Sequence, residues 1–176
     1  VNADEIIPHY TYKDYALWEG YWELINGHPY AMSPSPKAKH QITGKKIIYL
    51  LESLLITKKH CDCQVIYELD WVLNDSTIVR PDVMVVCGLL QDDFLRFPPV
   101  IIVEILSEAT RFKDRSIKFS LYESQGVRYY LMVDPIKESV EIFELIDNKY
   151  RSHDTLTSFD LGKCKLDVSF DSIFKY

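Results

Sequence analysis

The period of apolar and polar positions changes several times along the chain, and each change marks an element. In "YWELINGHPYAM" two short apolar stretches flank Asn26-Gly27, a pair that favours a tight hairpin turn with positive φ. Pro29 cannot donate to a ladder, so the second strand of this N-terminal hairpin belongs at an edge or a bulge. After "SPSPKAKH", Ile47, Ile48, Leu51, Leu54 and Leu55 recur at helical spacing and predict a helix. "CQVIYELDWVL" alternates, placing Val65, Tyr67, Leu69, Trp71 and Leu73 on one face of a single half-buried strand. "TIVRPDVMVVC" and "PVIIVEIL" read as the next two strands. "KDRSIKFSLYESQG" predicts a helix stopped at Gly126, and "VRYYLMVD" a strand closed by Asp134-Pro135. "SVEIFELI" alternates again and turns at Asp147-Asn148 towards "KYRSHDTL". The tail "CKLDVSFDSIF" resembles a short edge strand and a final turn. This order predicts a mixed α/β domain with a central sheet flanked by helices. With no repeat, low-complexity tract or long linker, residues 1–176 read as one domain.

Composition narrows the class. Hydrophobic residues make up 47% and charged residues 26% of the 176, an ordinary globular balance. No apolar run approaches the roughly 20 residues of a membrane helix. The stretch "VNADEIIPHYTYKDY" has neither a basic start nor an apolar signal segment, so a cytoplasmic protein is expected. Cys61 and Cys63 are two apart, while Cys87 and Cys164 are remote from them and from each other. That is neither a disulfide framework nor a paired zinc pattern, and reduced, mostly buried thiols are expected. The net charge of −6 argues against a broad basic surface for nucleic acid. It is compatible with a local basic cleft, or with a metal ion bridging an acidic site to phosphate.

Three acids do not fit their surroundings. Glu104 interrupts "PPVIIVEILS", a run of the kind buried on both faces of a sheet. A buried lone carboxylate is destabilising unless it is paired or protonated. Asp82 lies in "VRPDVMVV" beside Pro81, and Glu23 lies in "YWELI". A strand acid commonly faces solvent, which is the competing reading for Asp82 and Glu23. Taken together, three carboxylates on three strand-like segments predict a converging cluster, compensated by protons or by a hard cation such as Mg²⁺. Glu68 and Asp70 share the outward face of their strand and read as solvated. Lys118 lies on the helix after Glu104; its plain reading is an ion pair with Asp114 one turn earlier, with Lys113 and Arg115 more exposed. His40 shares the apolar helix face of positions 44, 47, 48, 51 and 55, with Gly44 leaving space a turn later. A core or capping histidine is its plain reading.

These residues also carry a resemblance. "YWELINGHPYAMSPSPKAKH", "VRPDVMVV", "VEILSEATRFKDRSIKFSLYESQGVRYYLMVDP" and "VEIFEL" resemble, in order from about Tyr10 to Leu145, the Uma-two family. That family, a domain of unknown function grouped with restriction endonucleases, belongs to the PD-(D/E)xK nuclease superfamily. The resemblance implies a restriction-endonuclease-like core. The metal-binding Asp of the superfamily matches Asp82 and its second acid Glu104. The lysine expected two residues later is absent, since position 106 is Leu. In this family Lys118 on the following helix takes its place. The early family acid matches Glu23, and the helix histidine matches His40.

The resulting expectation is a Mg²⁺-dependent endonuclease acting on DNA, with Mn²⁺ as a substitute ion. Asp82 and Glu104, with the backbone carbonyl of Ile105, would hold the metal; Glu23 would hold a second ion or position the first. Lys118 would orient the attacking water, and His40 would contact phosphate or tune Glu23. A homodimer is expected, because cutting both strands of a duplex is simplest with two sites related by a twofold axis. The rival expectation is a catalytically silent nuclease-fold module that binds nucleic acid or a protein partner. Carboxylate-pair hydrolysis of a sugar ranks below both, since it needs no lysine.

Overall fold

The structure, a computed structural model, describes residues 8–32 and 37–175. The start of the chain, read above for a signal segment, and the "SPSP" lead-in to the helix at 33–36 lie outside the described residues. Helix α1 (Tyr12–Tyr15) precedes β1 (Trp22–Ile25) and β2 (His28–Ala31), followed by α2 (Ala38–Leu55). Next come β3 (Cys63–Tyr67), β4 (Trp71–Asn74), β5 (Thr77–Val79), β6 (Val83–Cys87) and β7 (Ile101–Ile105). A π-helical segment (Lys113–Lys118) runs directly into α3 (Phe119–Ser124). The chain ends with β8 (Tyr129–Asp134), β9 (Ser139–Ile146), β10 (Lys149–His153), β11 (Ser158–Asp160) and β12 (Lys165–Asp167).

A six-stranded mixed sheet in the order β10-β9-β8-β7-β6-β3 forms the centre. Its β7–β8 pair is parallel and its other pairs are antiparallel. A parallel pair needs a crossover connection, and the π segment with α3 supplies it. Along the central strands alternate residues face opposite layers. Val83, Val85, Ile101, Val103, Ile105, Leu131 and Val133 pack towards Ile47, Leu51 and Leu55 of α2. Met84, Val86, Ile102, Tyr130 and Met132 pack towards Trp71 and Tyr122. Burial on both faces explains why these strands read as continuous apolar runs. Gly44 lets α2 approach closely: a Cβ there would lie 3.1 Å from Ile105 Cδ1.

The hairpin falls where the sequence places it. Asn26 and Gly27 take φ of 50° and 75° between β1 and β2, and β2 with its Pro29 is an edge strand. This hairpin is not part of the central sheet. It belongs to a second sheet, ordered β2-β1-β5-β4, and β11 and β12 form a third, two-stranded one. Two expected strands are therefore each divided. "CQVIYELDWVL" breaks after Tyr67 because Glu68 turns the chain with a φ of 49°, so β3 and β4 serve different sheets. "TIVRPDVMVVC" breaks at Arg80-Pro81, where proline cannot extend the ladder, and gives β5 and β6. The expected final helix is also composite, its first half π-wound, with Gly126 at φ 78° after its end.

The cysteines correct the expectation of reduced thiols. Cys61 is bonded to Cys164 and Cys63 to Cys87, with Cα separations of 5.5 and 3.9 Å. Cys63 and Cys87 are directly opposed across β3 and β6, and the third sheet returns Cys164 to the same corner. Sequence spacing carries no trace of either approach. Among the described residues no helix is long and apolar enough to cross a membrane.

Candidate functional site

Asp82 immediately precedes β6, and Glu104 is the fourth residue of β7. The two strands pair with Val83 opposite Val103, so the acids sit at neighbouring positions at one end of the sheet. The backbone joins them further: Ile105 N–H donates to Asp82 Oδ2 at 2.7 Å, and Asp82 N–H lies 3.5 Å from Glu104 Oε2. Glu104 Oε1 accepts from Lys118 Nζ and from the Tyr122 hydroxyl, each at 2.8 Å. Lys118 also reaches Glu23 Oε1 at 2.7 Å and lies 3.8 Å from Asp114 Oδ1. Lys113 pairs with Glu23 Oε2, and the Arg80 amide donates to Glu23 Oε1 at 2.9 Å. From α2, His40 Nε2 stands 3.4 Å from Asp82 Oδ2.

The π winding makes part of this arrangement. Lys113 and Lys118 are five residues apart, which in an α-helix would set them about 140° apart around the axis. A π-helix closes on i→i+5 and brings such residues towards one side. Both ammonium groups accordingly meet the same carboxylate, Glu23, in the hairpin of the second sheet.

Burial and charge divide the cluster into an interior and a mouth. Glu23, Glu104, Asp114 and Lys118 are buried, whereas the Asp82 and His40 side chains retain 20% and 19% exposure. Burial pushes the Glu104 carboxyl well above its usual range; Lys118 opposes this, and Asp114, Asp82 and Glu23 reinforce it. Burial also raises Asp114 against the pull of Lys118. For Glu23 burial acts upward too, but Lys118 and Lys113 outweigh it and hold the group below its usual value. Burial alone would lower the Lys118 ammonium, yet Glu104, Glu23 and Asp114 raise it well above normal. Burial likewise works against the His40 imidazolium, and the Asp82 carboxylate more than compensates. The cluster thus holds more carboxylate than two lysines neutralise, a condition that protons or a divalent cation relieve.

The donor set fits a hard cation. Asp82 Oδ1 and Glu104 Oε2 are not the oxygens that meet the Ile105 amide and Lys118, Asp82 reaches the exposed mouth, and oxygen donors suit Mg²⁺ or Mn²⁺. Glu23 offers less, because Lys113, Lys118 and the Arg80 amide engage its oxygens. Ile105 enters the site through its amide.

The structure thus brings Asp82, Glu104, Lys118, Glu23, His40 and Ile105 into one cluster. Three further residues take part that the expected site did not include, one of them Asp114, whose ion pair with Lys118 was expected. Asp114 and Tyr122 lie four residues either side of Lys118, on the same helical face, and that spacing was the available signal. Lys113, expected to be exposed, is largely buried against Glu23. Asp70, expected in solvent, accepts from Arg80 Nε at 2.6 Å and from the Tyr15 hydroxyl at 2.8 Å, because the break at Glu68 turns it inward.

Comparison with known proteins follows the same direction. The family described as "Uma2: Putative restriction endonuclease" matches residues 12–167. A crystal structure from Anabaena variabilis ATCC 29413, titled "a putative nuclease belonging to DUF820", superposes with a TM-score of 0.73 at 15% identity. The match covers 93% of this chain and 97% of that one, which establishes a shared fold. No curated protein matches the chain.

Proposed function

The chain belongs to the Uma2 family, and from that membership we propose that it is a Mg²⁺-dependent endonuclease hydrolysing DNA phosphodiester bonds, with Mn²⁺ as a substitute. In this reading the six-stranded sheet with α2 and α3 is a restriction-endonuclease-like core. The observation that carries it is the juxtaposition of Asp82 and Glu104 on paired strands, with Lys118 2.8 Å from Glu104. Asp82 and Glu104 would hold the ion, which when bound polarises the scissile phosphate and acidifies a water molecule.

The chain's own residues do the rest. The Ile105 amide fixes one oxygen of Asp82, leaving the other free to bind. Lys118 and Tyr122 fix Glu104 in the same way, and Lys118 keeps positive charge beside the site where negative charge develops. Glu23 acts as a positioning residue, holding Lys118 and Lys113 in place. His40, at the exposed mouth, is placed to donate to a phosphate oxygen or to hold Asp82. A homodimer working in the cytoplasm completes the reading, with sedimentation at high protein concentration as the test of assembly.

The test of activity is plasmid nicking with Mg²⁺ or Mn²⁺, wild type beside Asp82→Asn, Glu104→Gln and Lys118→Ala. The two carboxylate variants are expected to abolish cutting, and Lys118→Ala to slow it by roughly a hundredfold or more. Full activity in Asp82→Asn would sink the mechanism. One observation favours the rival, a silent module that binds nucleic acid or a protein: Lys118 is buried and fully engaged by carboxylates. A wild type inert with both metals and all DNA forms would decide for that rival.

A further inference from the structure

A second cluster, with a different chemistry, lies at the β3 edge of the central sheet. Three separate segments deliver its cysteines: Cys61 and Cys63 from the entry to β3, Cys87 from the end of β6, and Cys164 from just before β12. The sulfur atoms of Cys61, Cys63 and Cys164 all lie within 4.8 Å of one another, and Cys87 is bonded to Cys63. The two disulfides are therefore neighbours in one site. In a tetrahedral zinc tetrathiolate with Zn–S of about 2.3 Å, neighbouring sulfurs are about 3.8 Å apart. Freed from the two disulfides, the thiols would turn about their side-chain bonds towards that spacing.

The surrounding backbone is held by bonds that do not depend on sulfur. Cys63 and Cys87 are a registered cross-strand pair. The Gly88 amide donates to the Asp62 carbonyl at 3.0 Å, and the Leu161 amide to the Cys164 carbonyl at 2.9 Å. Lys163 pairs with Asp62 at 2.8 Å and so ties the third sheet to the same corner. All four cysteines are half-buried and pack on the apolar core, which leaves them accessible yet in a poorly solvated setting. Lys163, next to Cys164 in sequence, is held by Asp62, which lies between Cys61 and Cys63.

We propose that these four cysteines form a soft-metal site in the reduced protein, taking one Zn²⁺ per chain in place of the two disulfides. A small dithiol or phosphine reductant opens the site. With a dithiol, each S–S bond breaks on receipt of two electrons and two protons, and the reductant leaves as its own disulfide. Zn²⁺ then displaces four protons from four thiols as four Zn–S bonds form, giving a complex of net charge −2. The sulfur ligands separate this site from the oxygen cluster around Glu104, so the two select different ions.

The test uses the full chain, reduced with a phosphine under anaerobic conditions and freed of metal. Titration with Co²⁺ is expected to give a sulfur-to-cobalt charge-transfer band that saturates at one equivalent of thiolate-bound cobalt, and Zn²⁺ then removes the band by displacement. Cys87→Ser and Cys164→Ser are expected to weaken the cobalt affinity read from this band by at least tenfold. Wild-type protein provides a check that needs no folded variant: Zn²⁺ should protect all four thiols from alkylation, counted by mass. A reduced wild type with no thiolate band, or with four thiols alkylated as readily with Zn²⁺ as without it, overturns the proposal. So does a band that survives in Cys61→Ser/Cys164→Ser.

Discussion

Lys118 and Glu23 meet at 2.7 Å although one belongs to the crossover between β7 and β8 of the central sheet and the other to the hairpin of the second sheet. The pair joins two layers through a contact with almost no access to water, and it leaves Lys118 as the common partner of Glu23, Glu104 and Asp114. Lys118→Met keeps the side-chain volume and removes the charge. In the presence of a chelator it is expected to lower stability by about 3–5 kcal/mol, since buried carboxylates lose their counter-ion. Urea unfolding measures this. Adding Glu23→Gln should recover part of the loss, and a strictly additive double variant would contradict the pairing.

Metal binding should be visible without catalysis. At about a hundredfold excess over its dissociation constant, Mg²⁺ adds about 2.7 kcal/mol to stability. For a domain of this size that raises the melting temperature by roughly 5–10 °C. Asp82→Asn and Glu104→Gln are expected to lose most of the shift while unfolding, without metal, within about 1 kcal/mol of wild type. Scanning calorimetry with and without Mg²⁺ reads both quantities; an undiminished shift in either variant would place the ion elsewhere.

Gly44 controls how closely α2 approaches the strand that carries the site. An alanine methyl would touch Ile105 at 3.1 Å, a clash that the flexible Ile105 terminus absorbs, and alanine favours the helix by about 1 kcal/mol. Gly44→Ala is therefore expected to be nearly neutral. Gly44→Val should lower stability by about 1–3 kcal/mol. Because Ile105 holds Asp82 through its amide, Gly44→Val should also weaken the metal-dependent shift. Unchanged metal response in a destabilised Gly44→Val protein would show that the helix and the carboxylate are uncoupled.

Asp134 gives a pH signature away from the cluster. Burial would raise its carboxyl pKa, but the Lys137 and Ile136 amides and the Arg111 guanidinium outweigh burial and hold it below the usual value. A lowered native pKa stabilises the fold fully above the ordinary carboxylate range, and the stabilisation is lost as pH falls through the lowered value. Asp134→Asn should therefore lose about 1–3 kcal/mol at pH 7. The deficit should shrink as the wild type is acidified through the titration of this group. Urea midpoints from neutral to acid pH test this, and a constant deficit would refute it.

The candidate site was more legible in the sequence than the sheet organisation. Glu104 stood out because a carboxylate in an apolar strand demands compensation, and Asp82 because it too interrupts an apolar strand-like segment, beside Pro81. Lys118 needed the family resemblance, since a helical lysine near an aspartate is ordinarily a surface pair. The division into two sheets was hidden because alternation continues from Val65 to Leu73 across the Glu68 turn. Periodicity records which way side chains point and is blind to a change of partner strand. Lys113 and the cysteine pairs were hidden for a related reason: their neighbours come from remote segments, and no local pattern encodes those meetings.

The π-wound start of the crossover makes this segment a length gauge. Lys113 and Lys118 share Glu23 because five residues there complete roughly one turn. Deleting one residue between them leaves the lysines four apart, and the two share one side only if the segment rewinds as an α-helix, where residues four apart are about 40° apart. Substitutions in the segment change its chemistry one contact at a time, whereas a change in residue count changes the winding of the whole segment in a single step. The part of the chain that governs the cluster is therefore defined by number as much as by identity.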